Sequence, residues 1–117
     1  MTVRHYGRVT PLQRDMLSLG GEVLVRNTND PPTDRERIDR MKKARTLLKR
    51  DTGRDFGYDL AAWHHFLLNH DKLSKDYKFH YAWRAVRPRV EQLLDDPNRL
   101  RLVRLLEEQQ DMDADQR

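Results

Sequence analysis

Hydrophobic side chains recur along much of the chain at steps of three and four residues, the spacing that places them on one face of an α-helix. The clearest stripe, within residues 34–50, consists of Ile38, Met41, Ala44, Leu47 and Leu48. Thr33 and Glu36 have the spacing of a capping box, so a helix should begin there. Gly53 is suited to the left-handed conformation that ends helices. These signals predict a helix over residues 34–50.

Two shorter helices are predicted from their caps. Thr10 precedes a proline, which suits the first position of a helix, and Gln13 completes a second capping box. This helix should end at Gly20. Asp59 can cap a helix over residues 60–70.

The second half of the chain carries two further stripes. From about residue 74 the first comprises Phe79, Trp83, Val86, Val90 and Leu93, and it continues in phase across Pro88. This favours one helix kinked at Pro88, with Phe79 and Trp83 in the core; Pro88 in the first turn of a separate helix is the alternative. A last helix should begin at Pro97, with an apolar face of Leu100, Leu102, Val103, Leu105 and Leu106.

The predicted fold is all-α, an irregular bundle of four to five helices with a short extended N-terminal arm. The arm is Val23 to Val25, a short β-branched run that has no evident partner strand, which favours dimerisation through residues 22–26 or a small hairpin with residues 3–9. Residues 1–110 should form a single helical domain. Residues 111–117 are acidic and unpatterned and should be a disordered tail.

One segment resembles a known helix joint. Residues 52–63 read Thr-Gly-Arg-Asp-Phe-Gly-Tyr-Asp-Leu-Ala-Ala-Trp. They resemble the TG-x-(D/S)-FG-x-D-x-x-x-W segment that joins consecutive helices in some bacterial HEAT-like helical-repeat proteins. The segment occurs once here. The resemblance implies a structural joint between helices, bears on the fold alone, and identifies no functional family.

The composition narrows the function classes. Charged residues make up 36% of the chain against about 25% in typical proteins, and the hydrophobic fraction is 37%. Residues 1–50 carry a net charge of +6 and residues 91–117 a net charge of −4, an asymmetry typical of nucleic-acid binding or of self-neutralisation. There is no cysteine, and no apolar run approaches the roughly 18 residues of a membrane span. A cytoplasmic protein without a membrane partner is expected.

No catalytic apparatus is evident. His64, His65 and His70 lie close together in sequence, but their spacing does not place ligands on one helix face, so no metal site is predicted. Ser18 and Ser74 are the only serines, and neither lies in a glycine-flanked elbow. No glycine loop for phosphates is present. The expectation is a non-enzyme without a cofactor; a hydrolase or nuclease using the histidines and nearby carboxylates is a minor alternative.

The candidate binding residues lie in two basic segments, 35–50 and 75–89. The second interleaves aromatic rings with cations, which suits either single-stranded nucleic acid or a protein epitope. Acidic neighbours on the first segment could instead neutralise it. The candidates are Arg35, Arg40, Lys42, Lys43, Arg45, Lys49, Tyr77, Lys78, Tyr81, Arg84, Arg87 and Arg89.

By elimination, the sequence favours a small protein-interaction module. It would be a partner-binding subunit or an inhibitor, such as an immunity-type or anti-defence protein, which occludes a surface of its target. The alternative is a nucleic-acid-binding protein that uses the two basic segments.

Overall fold

The computed structural model describes residue 6, residues 8–24 and residues 29–115, with side chains as far as Gln109, and the regular structure in these ranges is helical. The helices are α1 (Pro11–Leu19), α2 (Asp34–Thr52), α3 (Leu60–Asn69), α4 (Leu73–Tyr77), α5 (Trp83–Leu94) and α6 (Pro97–Asp115). No strand occurs in these ranges. The predicted all-α class is confirmed, with six helices in the described part of the chain where four to five were predicted. None of the helices in the described ranges is long and apolar enough to cross a membrane.

The predicted caps are present. Thr10 accepts a hydrogen bond from the Gln13 backbone while the Gln13 side chain accepts one from the Thr10 backbone, and Thr33 and Glu36 do the same at α2. Gly53 ends α2 with a φ of 71°, the left-handed conformation that glycine adopts without strain. The predicted starts of α1 and α2 are therefore confirmed.

Helix α1 is the central element, since it packs against α2, α3, α4 and α5. It runs antiparallel to α2: at one end Arg37 Nη1 donates to the Gly21 carbonyl over 2.9 Å, and at the other Asp51 lies beside Pro11. Gly20, at the end of α1, lets α5 come close, because a Cβ there would lie 2.5 Å from Leu93 Cδ1.

The prediction of one long helix from residue 74 is wrong. Helix α4 ends at Tyr77 and α5 begins at Trp83, with His80 between them at a φ of 69°. The Gln13 side-chain amide donates to the carbonyls of Tyr77 and Phe79, both over 2.9 Å, so these carbonyls are satisfied from α1 rather than by a continuing helix. The prediction that a helix continues across Pro88 is right, because Pro88 lies inside α5.

Three residues that were predicted to lie in the core, Phe79, Leu100 and Leu105, are exposed. Phe79 is 57% exposed, whereas Trp83 packs against the core as predicted. On α6 the buried side chains are Leu102 and Leu106, while Leu100 and Leu105 are exposed. The remaining buried apolar side chains form one cluster with these two leucines, centred on α1, α2, α3 and α5.

A buried arginine positions α6. Arg99 donates from Nε to the Leu93 carbonyl over 2.6 Å and from Nη2 to the Leu94 carbonyl over 2.8 Å, so it satisfies the last carbonyls of α5. At the exposed start of α2, Arg101 pairs with both oxygens of Asp34 at 2.8 Å. These contacts fix α6 across the ends of two other helices.

Two predictions concern segments near the limits of the described ranges. Residues 22–24 have no regular structure, and residues 25–28 lie outside the described part, so dimerisation through residues 22–26 stays a prediction. The backbone of residues 111–115 continues α6, which differs from the predicted disordered tail. The stretch before it contains no glycine or proline that would end a helix. Residues 116–117 lie outside the described part.

The contacts of Gln13 predict a strong effect of Gln13→Glu on stability. The variant keeps an oxygen for the Thr10 backbone but replaces the amide donor that two carbonyls share. We expect the free energy of unfolding to fall by about 3 kcal/mol, since each buried polar group left unsatisfied costs about 1–3 kcal/mol. Urea unfolding measures this. Gln109→Glu, at an exposed position on α6, is the matched control and should change stability by less than about 0.5 kcal/mol. Equal stability of the two variants would contradict the role of Gln13.

Candidate interaction surfaces

Three aromatic side chains lie side by side in the turn between α4 and α5. The rings of Phe79 and His80 are 5.5 Å apart, and those of His80 and Tyr81 are 5.0 Å apart. Phe79 is 57% exposed and Tyr81 is 73% exposed. The Arg84 guanidinium lies over the Tyr81 ring at 5.7 Å. Residues 79–81, called the aromatic loop below, therefore present large rings to solvent, beside the exposed cation of Arg84 in α5.

The aromatic loop is held in a conformation that residues with a side chain rarely adopt. His80 has a φ of 69°, in the left-handed region that costs a residue other than glycine free energy. The first residue of the loop is tied to α1 by the Gln13 hydrogen bond to the Phe79 carbonyl. The end of α4 just before it is tied by the Gln13 hydrogen bond to Tyr77 and by Thr10 Oγ1, which donates to the Asp76 carbonyl over 3.0 Å. The exposed rings are thus presented from a fixed backbone.

An apolar groove of about 440 Å³ adjoins the loop. Pro11 and Leu12 line it from α1, Leu73 lines it from α4, and Phe79 lines it from the loop. Asp51 and Asp76 lie at its polar edges. The groove extends the apolar surface that Phe79 begins.

Tyr77, predicted as a binding residue, is fully buried, so that prediction is wrong. Its hydroxyl lies 2.6 Å from His64 Nδ1, and its ring packs edge-on against Trp83 at 4.7 Å. Burial raises the pKa of Tyr77 and lowers the pKa of His64. Both groups are therefore neutral at pH 7, and the pair belongs to the core.

Two of the predicted basic residues serve the joint between α2 and α3. Arg45 Nε and Nη2 donate to the two oxygens of Asp55 over 3.1 and 3.0 Å, and Lys49 Nζ lies 3.6 Å from the same carboxylate. The hydrogen bonds from Arg45 lower the pKa of Asp55 to about 2, with a further contribution from the Gly57 backbone. Arg45 also lies over the Tyr58 ring at 5.0 Å. These cations hold the segment that was predicted to be a structural joint.

The joint itself links consecutive helices, as its sequence pattern implies. Asp59 accepts a hydrogen bond from the Ala62 backbone and caps α3, which confirms the predicted helix start. Trp63 Nε1 donates to the Gly57 carbonyl over 3.0 Å, and Phe56 packs edge-on against the Trp63 ring. The likeness to HEAT-like repeat proteins stays a prediction.

The other predicted binding residues fall into two groups. The side chains of the first group each contact another side chain. Arg87 pairs with Glu91 at 3.0 Å, Arg89 pairs with Glu22, and Arg84 lies over Tyr81. The side chains of the second group are exposed and make no hydrogen bond or ion pair with another described residue; this group is Arg35, Arg40, Lys42, Lys43 and Lys78.

The histidines do not converge. His65 is exposed and contacts Asn69, whereas His70 Nδ1 accepts hydrogen bonds from the backbones of Lys72 and Leu73 at the start of α4. Among the residues whose side chains are described, no group of three or more histidines and carboxylates is placed to hold a metal ion.

Asp15 is a buried acid that sequence analysis missed. Its side chain is 2% exposed, and Oδ1 accepts hydrogen bonds from Arg14 Nε and Nη2, both over 3.2 Å. Oδ2 is buried and has no hydrogen-bond partner among the described residues. Burial raises the pKa of this carboxyl group, and Arg14 offsets part of the rise. No local signal marks Asp15, because its burial depends on α2 packing against α1.

Comparison with models of known protein families gave no match, and neither the curated proteins nor the solved structures include a significant match to this chain.

The buried His64 predicts a loss of stability in mild acid. Its pKa is lowered in the folded protein, so the unfolded chain takes up a proton first as the pH falls below about 6.5, and folding is then penalised. We expect the free energy of unfolding to be greater at pH 7.5 than at pH 5.5, with a smaller difference in His64→Gln. Urea unfolding at both values measures this. His65→Gln, at the exposed neighbour, should keep the wild-type difference, and an unchanged difference in His64→Gln would contradict the assignment.

Asp15 should destabilise the fold at neutral pH, whereas His64 should do so in acid. Because the pKa of Asp15 is raised in the folded protein, the charged form opposes folding above that pKa. Asp15→Asn should increase the free energy of unfolding at pH 7 by about 1 kcal/mol. The gain should shrink as the pH falls towards 4, since the folded wild type is then protonated before the unfolded chain. Thermal melts across this range provide the measurement, with the exposed Asp71→Asn as control. Loss of stability in Asp15→Asn at pH 7 would refute the prediction.

Proposed function

We propose that this chain is a non-enzymatic protein-interaction module that binds a partner protein through the aromatic loop and occludes part of the partner's surface. The observation that carries the proposal is the exposure of Phe79 and Tyr81 beside Arg84. Tyrosine and arginine are enriched among the residues that dominate binding energy at protein interfaces. An inhibitor of the immunity or anti-defence type is the finer form of this proposal.

The fixed backbone of the loop supports the same proposal. A flexible loop loses conformational entropy when it binds, whereas a loop already tied to a helix has lost most of that entropy on folding. Gln13 and Thr10 tie residues 76–79 to the start of α1. The apolar groove beside Phe79 adds a concave surface that a partner side chain could fill. The exposed cations Lys78 and Arg84 favour a partner with an acidic surface around that contact.

The unpaired cations of α2 favour a second candidate, nucleic-acid binding. Arg35, Arg40, Lys42 and Lys43 are exposed and have no ion-pair partner among the described residues. Binding that depends on such cations weakens steeply with salt, because bound phosphates release counterions. A packed protein interface is much less sensitive to salt.

The test is capture of partners from host lysate at about 150 and 500 mM salt, with and without nuclease, since these conditions screen phosphate contacts. One discrete protein that persists under all conditions supports the proposal. Its affinity for a Phe79→Ala/Tyr81→Ala variant should be about 30-fold lower, since loss of a dominant interface residue costs about 2 kcal/mol or more. Leu100→Ala/Leu105→Ala removes two other exposed apolar side chains and is the matched control, which should bind as the wild type does.

Two results would overturn the proposal. Capture that disappears with nuclease or high salt would favour nucleic acid. Equal affinity of the partner for the aromatic-loop variant and the wild type would show that the loop is not the contact surface.

A further inference from the structure

A second concave surface lies between α1 and α2, on a different set of residues from the aromatic loop. It has a volume of about 330 Å³ and is called the basic cleft below. Arg14 lines it from α1, and Arg40, Lys43 and Arg50 line it from α2, with Asp15 and Ser18 also in its wall. The cleft therefore gathers four cations around one carboxylate.

The cations converge because of the helix geometry. Arg40, Lys43 and Arg50 are spaced by three and seven residues, so they lie along one side of α2. Antiparallel packing brings this side against Arg14 and Ser18 on α1. The converging side chains come from two helices and lie on a concave surface, so a ligand could contact several of them at once.

The charges in the basic cleft are not balanced within the described part of the protein. Arg40 and Lys43 make no ion pair there, and Arg50 is paired only with its chain neighbour Asp51, through a hydrogen bond of 2.9 Å. Like charges placed together repel one another, so this arrangement favours an anion that would neutralise them. Arginine forks and lysine ammonium groups are the side chains that bind phosphates in proteins.

Asp15 gives a second and independent reason to expect a ligand, because one of its oxygens lacks a hydrogen-bond donor among the described residues. Its Oδ2 atom is buried at the wall of the basic cleft without a hydrogen-bond partner. A buried polar atom of this kind is costly unless a donor satisfies it. Arg14, whose side chain is 49% exposed, covers the carboxylate.

We infer that the basic cleft binds a phosphate ester that also carries hydroxyl groups, as a sugar phosphate or a nucleotide does. In this inference Arg14 turns from Asp15 to the phosphate, which Arg40 and Lys43 also contact, and a ligand hydroxyl becomes the donor to Asp15. The volume of the cleft is at the lower end of the range of about 300–1,000 Å³ for small-molecule sites. Two sources offer this chemistry: a free small molecule and a nucleotide within a strand.

The inference is tested by titration calorimetry at low salt with four probes. They are inorganic phosphate, ribose 5-phosphate, AMP and a ten-nucleotide RNA. Ribose 5-phosphate or AMP should bind at least tenfold more tightly than inorganic phosphate, because only the esters offer a hydroxyl group to Asp15. If the RNA binds tightly and the free esters bind no better than phosphate, the source is a strand, provided that the same cations are required.

The decisive variants remove equal charge from α2, one pair within the lining of the basic cleft and one pair outside it. Arg40→Gln/Lys43→Gln should weaken binding at least tenfold, whereas Arg35→Gln/Lys42→Gln, at exposed positions that do not line the cleft, should change it less than twofold. Asp15→Asn, which is expected to fold, should reduce the preference for the ester over inorganic phosphate. Absence of binding to every probe would overturn the inference. Equal losses in the two double variants would also overturn it, since they would indicate a general charge effect. None of these outcomes depends on the aromatic loop.

Discussion

The side-chain amide of Gln13 connects the start of α1 to the turn between α4 and α5, and much of the arrangement around it depends on this connection. Its oxygen accepts from the Thr10 backbone, which closes the cap of α1, and its nitrogen donates to the carbonyls of Tyr77 and Phe79. A side-chain amide is neutral and carries an acceptor oxygen and a nitrogen with two N–H donors, which together match the three bonds made here. Because Gln13 is fully buried, water cannot replace these bonds. The chain therefore leaves the helix at residue 78, which turns Tyr77 inward and Phe79 outward.

Helix ends set by neighbouring residues could be predicted from the sequence, whereas ends set by distant residues could not. The caps of α1, α2 and α3 depend on Thr10, Thr33 and Asp59, each of which bonds to the backbone within three residues. The break after Tyr77 depends on Gln13, which is 64 residues away. The apolar stripe is continuous across that break, so periodicity alone predicts an unbroken helix. A hydrogen bond across the fold outweighs the local pattern, as tertiary contacts commonly do.

The candidate sites divide in the same way into features that neighbouring residues determine and features that packing between distant residues determines. The basic character of α2 was evident from its sequence, but which cations are used within the fold was not. Arg45 and Lys49 bind Asp55, which is close in sequence, while Arg40 and Lys43 face α1 across a cleft that exists only once the helices pack. Tyr77 and Phe79 differ by two positions and have similar side chains, yet one is buried and the other exposed. A stripe does not distinguish a core ring from a surface ring until the helix that carries it is known to end.

The features that oppose folding in this protein are concentrated beside α1. His80 has a left-handed backbone, one oxygen of Asp15 is buried without a hydrogen-bond partner among the described residues, and the cations of the basic cleft repel one another. Sequences generally agree with their folds at every level, and the exceptions tend to lie where binding or catalysis requires them. Here Asp15 lines one concave surface beside α1, and Phe79, the neighbour of His80, lines another. A central helix fixed by its neighbours can support strained surroundings, since its own position is held by contacts with four other helices. The same helix that stabilises the core therefore also positions both surfaces that are proposed to bind.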